Sequence, residues 1–438
     1  MMFASLGLNV AAACLAIVKA SGFVTIPPAP PVGLAVGMRL RAGLGDATDA
    51  TQATSPPLTV LEFYSGIGGL RVSLETATEA MGLNVGDAIV VVGSYEINAV
   101  ANSVYEDNFP GCSVTRRSIE HLAPQELDGV SDVWLLSPPC QPFCRVGKQM
   151  DIEDPRSLSF LHLLSLLDAV TDPPNHIFVE NVRGFEGSRV HQRLLEVLSR
   201  RDFDVEQYLL SPVQLGIPNT RLRYYCLASR RAAEGRGGTV AIQDSLPQDS
   251  LLSITPSIPM ARADEGERST LRPLSEYLDP SLTGEATVPL LLSPKAAAHA
   301  NPSLRFDVVT ARSHETTTFT KGYGKHAGRA GPVILLTDDG ERRVSEEVLE
   351  RFPSGLDLGP NGRELRWFSD REMLRLHGFP EGFGFPACLT LSQRFGLIGN
   401  SVNVEVVALL LKRMLFQGEV RRLGVGEEGS TVPVPIEA

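Results

Sequence analysis

From Leu58 onward the chain alternates two kinds of apolar pattern, and this alternation limits what it can fold into. Short runs rich in β-branched and aromatic residues fall at Thr59–Tyr64, Ala88–Ser94, Val133–Ser137, His176–Glu180 and Tyr224–Ala228. Between them, Leu70–Met81, Ser157–Val170 and Val190–Arg200 repeat their apolar positions at helical spacing. Strands alternating with helices predict an α/β fold with a doubly wound, Rossmann-like parallel sheet covered by helices on both faces. Such sheets hold ligands at the carboxyl ends of their strands.

The flanking and intervening segments break this rhythm. Residues 1–57 hold no Asp or Glu before Asp46, and an apolar run, Leu6–Val18, leads into a Pro-rich stretch, Ile26–Pro31. The run is too short to span a bilayer as a helix, so no membrane association is expected. It reads as the core of a cleaved targeting segment, or as an unstructured extension or a start codon misplaced upstream of Met38. The expected location is therefore cytoplasm or nucleus, with an organelle open. Residues 58–230 are expected to form the catalytic domain. Residues 231–368, whose first part is rich in Gly, Pro, Ser and acidic residues, are expected to form a less regular second domain. Helical periodicity returns at Ser369–Leu376 and Val402–Leu415, so residues 369–416 should rejoin the first domain and 417–438 form a tail.

The strand ends carry the chemistry. The first runs into Phe63-Tyr64-Ser65-Gly66-Ile67-Gly68-Gly69, a glycine-rich turn that lets backbone N–H groups approach a nucleotide-like ligand. The second ends at Glu96-Ile97, where a carboxylate is placed to hold ribose hydroxyls. Neither GxGxxG nor GxxxxGK[ST] occurs, which favours a compact adenosine ligand over a dinucleotide or a nucleoside triphosphate. The third strand enters Pro138-Pro139-Cys140-Gln141-Pro142-Phe143, whose prolines fix φ around a nucleophilic thiol. The fourth ends in Glu180-Asn181-Val182, with a carboxyl able to donate to a heterocycle nitrogen, and Asn219–Arg223 brings Arg221 and Arg223 to the next strand. The six cysteines lack paired CxxC spacing; only Cys140 and Cys144 are close, so neither a disulfide scaffold nor a metal site is expected.

In this order, with Gln393-Arg394-Phe395 and Gly399-Asn400-Ser401-Val402 near the end, these segments resemble the C5-cytosine methyltransferase family from about Leu58 to Phe416. Thr59–Gly69, Leu215–Tyr224, Phe319–Gly324 and Leu376–Pro386 resemble its branch that methylates tRNA, in particular aspartate tRNA in the anticodon loop. The resemblance implies S-adenosylmethionine as cofactor and a methyltransferase sheet with an inserted target-recognition domain. It implies Cys140 as nucleophile, Glu180 as proton partner of the base, and Arg223 as the group orienting a carbonyl or Glu180. For the cofactor it implies Phe63, Ser65, Gly66, Ile67, Gly68, Gly69, Glu96, Ile97, Ile119, Glu120, Pro139, Asn400 and Ser401. Two departures stand out: the branch's Cys-Phe-Thr reads Thr318-Phe319-Thr320, and a common aromatic is His326.

The net charge of −11 requires any nucleic-acid contact to be local. Residues 305–329 carry Arg305, Arg312, Lys321, Lys325 and Arg329 against Asp307 and Glu315, with His314, Phe319, Tyr323 and His326 among them as candidate stacking faces. Arg221, Lys321, Tyr323 and Lys325 are thus the expected RNA contacts. DNA stays open as an alternative substrate, as does an RNA-binding protein with a decayed site. The sequence leaves the oligomeric state open.

Overall fold

In the computed structural model the described residues are 56–143, 150–231, 271–292, 307–325, 330–336 and 365–422, with side chains described to 416. Six strands form one sheet: β1 (Leu58–Phe63), β2 (Ile89–Tyr95), β3 (Val133–Leu136), β4 (His176–Val182), β5 (Phe203–Leu210) and β6 (Arg223–Arg230), in the order β2-β1-β3-β4-β6-β5. The first three pairings are parallel, but β6 runs antiparallel to both β4 and β5. The expectation of an all-parallel sheet is corrected there. β5 leads into β6 through a short segment on one edge, so no crossover helix turns the chain around.

β3 is buried along its whole length, as a central strand must be, and Val-Trp-Leu-Leu supplies no polar side chain to either face. β5 alternates charged and apolar residues at its start, so half of it reads as surface sequence; it was not among the expected strands. Helices α1 (Gly69–Glu79), α2 (Val85–Ala88), α3 (Ala99–Asn108), α4 (Leu158–Ala169) and α5 (Arg189–Arg200) fill the connections. After the second region come α6 (Asp370–Leu376), α7 (Leu391–Gly399) and α8 (Val404–Arg422). α8 returns to pack on α1, with Val406, Val407, Leu410 and Leu411 buried in one cluster with Leu70, Leu74 and Ala77. The apolar stretch within Leu391–Phe416 is two-thirds buried, so its apolar character serves the core.

The second region holds a small sheet, β7 (Val308–Val309), β8 (Val333–Leu335) and β9 (Leu365–Arg366). Among the described residues, its apolar side chains join a core shared with the first region. Phe319, Tyr323, Trp367, Phe368 and Phe395 share one buried cluster with Ile67, Val72 and Tyr105 of the first region. Ser369 and Glu372 cap α6 reciprocally, and Glu372 also takes a two-point ion pair from buried Arg366, both contacts at 2.8 Å.

Candidate active site

β1, β2, β3 and β4 all end at one edge, and a cavity of about 560 Å³ opens there. Its wall includes Ser65, Gly66, Ile67 and Gly69 after β1, Glu96 and Ile97 after β2, Pro139 and Cys140 after β3, and Glu180 on β4. Ile119, Glu120, Arg221, Arg223, Lys321, Asn400 and Ser401 complete the set of expected residues that border it.

The glycine-rich turn is shaped by close approach. A Cβ on Gly69 would lie 2.6 Å from Ser401 Oγ and 2.9 Å from a Val402 methyl, so the glycine lets the C-terminal return close against the turn. Gly68 has φ +90°, and a Cβ there would strike the Phe109 ring at 2.4 Å. Gly68 does not border the cavity and lies beneath the turn against Phe109. Phe63 does not border it either: it is fully buried, stacked on Tyr95 at 5.0 Å and edge-on to Trp134. The aromatic that borders the cavity is its neighbour Tyr64, held at φ +58° with its hydroxyl donating to Ser159.

Glu96 ties the two strand ends together. Its carboxylate accepts from Gly66 N–H at 3.1 Å and Asn98 N–H at 2.7 Å, leaving lone pairs on both oxygens. Ser65 Oγ is buried on the same wall and has no hydrogen-bond partner. An unsatisfied hydroxyl and a half-occupied carboxylate on a nucleotide-sized cavity fit a ligand that brings polar atoms of its own.

Cys140 is half-buried in a turn closed by Phe143 N–H to Cys140 O at 3.1 Å. Asn181 reaches back from β4 to the Pro138 carbonyl at 3.3 Å, and the Phe143 ring rests edge-on against Phe185 at 5.0 Å. Cys226 shows what the other environment does: it is fully buried in the sheet, and burial pushes its thiol up to about 12, which makes it inert at neutral pH. Cys144 lies outside the described residues. Among the described residues no three His, Cys, Asp or Glu side chains gather as a metal site would need.

Register explains why Glu180 and Arg223 meet. Glu180 pairs with Tyr225 across the antiparallel β4–β6 ladder, and Arg223, two residues along, projects to the same face as its diagonal neighbour. Arg223 Nε stands 3.5 Å from Glu180 Oε1, while Ser137 donates to Oε2 at 2.8 Å. Ser137 was not foreseen; the strand-end position before the proline loop was the available signal.

The two arginines then part company. Arg221 is 3% exposed, and its guanidinium donates to the carbonyls of Phe319, Gly399 and Ser401. Burial first, and then the charge of Arg223, lower its pKa to about 9. Its terminal nitrogens tie the Phe319 segment to the Gly399–Ser401 segment rather than facing a phosphate, so the expected RNA contact is corrected to a clamp on the cavity wall. Tyr323 is corrected too: it is fully buried, donates to Pro332 O and accepts from Phe368 N–H, each at 2.8 Å. Phe319 is equally buried, edge-on to Tyr323 at 5.0 Å. Neither ring offers a stacking face. Lys321 borders the cavity and Lys325 is exposed away from its wall. Arg305, His326 and Arg329 lie outside the described residues. Thr318, at the departure from Cys-Phe-Thr, donates to the Thr220 carbonyl at 2.6 Å, beside Arg221.

The Cys140 thiol on its proline-fixed loop, the Glu180 carboxyl and the Arg223 guanidinium thus border one cavity with the glycine-rich turn and Glu96, an arrangement suited to a nucleophile beside a nucleotide-like ligand. The family is shown by sequence: the profile of C-5 cytosine-specific DNA methylases matches residues 58–415, and the chain belongs to that family. Among its relatives, a tRNA (cytosine(38)-C(5))-methyltransferase of Homo sapiens is 33% identical, covering 81% of this chain and 98% of its own. A DNA (cytosine-5)-methyltransferase of Dictyostelium discoideum is 34% identical over 83% of this chain and 95% of its own. The crystal structure of S. pombe Dnmt2 methyltransferase superposes with a TM-score of 0.63 at 30% identity, covering 84% of this chain and 99% of that one.

Proposed function

We propose that the protein is a tRNA (cytosine-5-)-methyltransferase that uses S-adenosylmethionine and acts on a cytosine of the anticodon loop, with aspartate tRNA as the first substrate to try. The observation that carries this reading is the joint presence of Cys140, Glu180 and Arg223 on one cavity wall. The names of relatives such as that of Homo sapiens support tRNA as the substrate. Ser65, Gly66, Ile67, Gly69, Glu96, Ile97, Ile119, Glu120, Asn400 and Ser401 would hold the cofactor, and the orphaned Ser65 hydroxyl fits that use.

When bound, S-adenosylmethionine supplies an electrophilic methyl group. Cytosine C5 is too weak a nucleophile to take it unaided. The Cys140 thiolate bonds to C6 and pushes electron density toward C5. Glu180 shares its proton with the ring nitrogen N3 and so stabilises the charge that develops there, while Arg223 holds the Glu180 carboxyl in place. Once C5 is alkylated, its proton leaves to a base or water, the C6–S bond breaks, and Cys140 departs as thiolate. The target base must leave its stack to reach Cys140, which costs least in a loop.

Bisulfite sequencing of total tRNA and DNA incubated with the protein and S-adenosylmethionine tests this reading. New protection confined to a tRNA anticodon-loop cytosine is expected. Protection of duplex DNA alone would favour the second reading, DNA cytosine-5 methylation, which the name of the Dictyostelium relative supports. We place the protein in the cytoplasm or nucleus, or in an organelle if residues 1–57 are a targeting segment; the N-terminal sequence of the mature protein distinguishes these.

A further inference from the structure

We propose that Ser137 is a positioning residue for methyl transfer, holding the Glu180 carboxyl through a hydrogen bond that can reverse direction as Glu180 gains and loses its proton. The proposal rests on the methyltransferase reading above. Ser137 is the first residue past β3, and the parallel register Leu136↔Val179 sets it beside Glu180 on β4. Its backbone N–H is bonded to Phe63 O at 3.4 Å, its hydroxyl donates to Glu180 Oε2 at 2.8 Å, and it lines the same cavity as Cys140.

The two partners of Glu180 differ in kind. The Arg223 guanidinium, 3.5 Å from Oε1, can only donate, so it favours the ionised carboxylate. A hydroxyl both donates and accepts. When the carboxyl is ionised the Ser137 hydroxyl donates to Oε2; when, with no base bound, Oε2 carries a proton, the same hydroxyl rotates and accepts it. A carboxyl that must change protonation within one turnover keeps its orientation only if one partner tolerates both states. Of Ser137 and Arg223, the serine is the partner with that property. An alanine there would leave Oε2 with no protein donor at this point and free the carboxyl to turn about its last torsion, which is broad for glutamate.

The test compares wild type, Ser137→Ala, Ser137→Thr, Glu180→Gln and the Ser137→Ala/Glu180→Gln double variant in single-turnover methyl transfer across pH. Ser137→Ala should keep its cofactor affinity and melting temperature while kcat falls about tenfold to a hundredfold, the loss of one hydrogen bond to a charged group. The pH profile of kcat should change with it, because the hydroxyl is the partner that serves both forms of the carboxyl. Ser137→Thr, which keeps the hydroxyl, should restore the wild-type profile. In the Glu180→Gln background, removing Ser137 should cost little more, since both act through one group. A wild-type rate and pH profile in Ser137→Ala, or a full additional loss in the double variant, would overturn the proposal. Wild-type protein that transfers no methyl group to tRNA or DNA would instead overturn the methyltransferase reading, and the Ser137 proposal with it.

Discussion

The carboxyl edge of the large sheet and the stretch at residues 307–325 both drew candidate functional residues from the sequence, yet the molecule treats them differently. At the sheet edge Cys140, Glu180, Arg223 and Glu96 all reach one cavity. In the second stretch Phe319 and Tyr323, set among Lys321, Lys325, Arg312 and Glu315, are wholly inside. The lesson is about what fixes a side chain's direction. In a sheet, topology sends every strand end to the same place, so residue type and position suffice. In an irregular segment no period tells the inner face from the outer, and an aromatic among charges is as much an anchor as a reader.

The largest expected effect lies at the edge. Cys140→Ala should lower methyl transfer by roughly 10⁴-fold or more with cofactor binding intact, measured by label transfer and calorimetry. Next comes Arg221→Met, which leaves three carbonyls without a donor. It should destabilise the fold by about 3 kcal/mol in urea unfolding, whereas an unchanged midpoint with a weakened RNA affinity would return Arg221 to substrate contact. Tyr323→Phe tests the contrast directly. Loss of its two hydrogen bonds should cost about 1–3 kcal/mol of stability with KM for RNA unchanged; the opposite pattern would break the comparison. Lys325→Ala should do least, reducing the salt slope of RNA binding by about 0.7 with no loss of stability.

A pH dependence follows from two buried groups, His377 and Glu62. His377, beside Phe319 and near Arg221, is lowered to about 3, chiefly by burial and then by the charge of Arg221. The unfolded chain therefore binds the proton first as pH falls below the ordinary histidine range, and stability present above pH 6.5 is lost toward pH 3. Glu62, under the glycine-rich turn, is raised to about 8 by burial, opposed by the Tyr105 hydrogen bond. Its contribution has the reverse sign: full below pH 4.5 and lost as pH rises through 8. Glu62→Gln should accordingly be the more stable protein at pH 9, read from thermal melts.

Much of this was legible in the chain. Each expected strand was found, because apolar runs ending in Gly, Pro or an acidic residue have few other uses. β5 escaped because Asp204, Glu206 and Gln207 interrupt its apolar residues, and the pleat that makes such alternation meaningful depends on a neighbour, β6, that comes later. At the site, Phe63 is expected on the cavity wall but is fully buried, and its neighbour Tyr64, past the strand end at φ +58°, borders the cavity instead, because the backbone turn after β1 sets the direction of that side chain. Ser137 and the clamp made by Arg221 were invisible for another reason. Both depend on partners 43 to 180 residues away, which no local pattern encodes.

That clamp has a consequence for the protein's synthesis. The wall of the cavity begins at Tyr64 and is finished only by Gly399, Asn400, Ser401 and Val402, which Arg221 and Gly69 hold against it. At a ribosomal pace of about 5–20 residues per second, roughly half a minute separates the emergence of the two sides. During that interval the Cys140 loop exists without its opposite wall, so a nascent chain carries the thiol but not the enclosure around it.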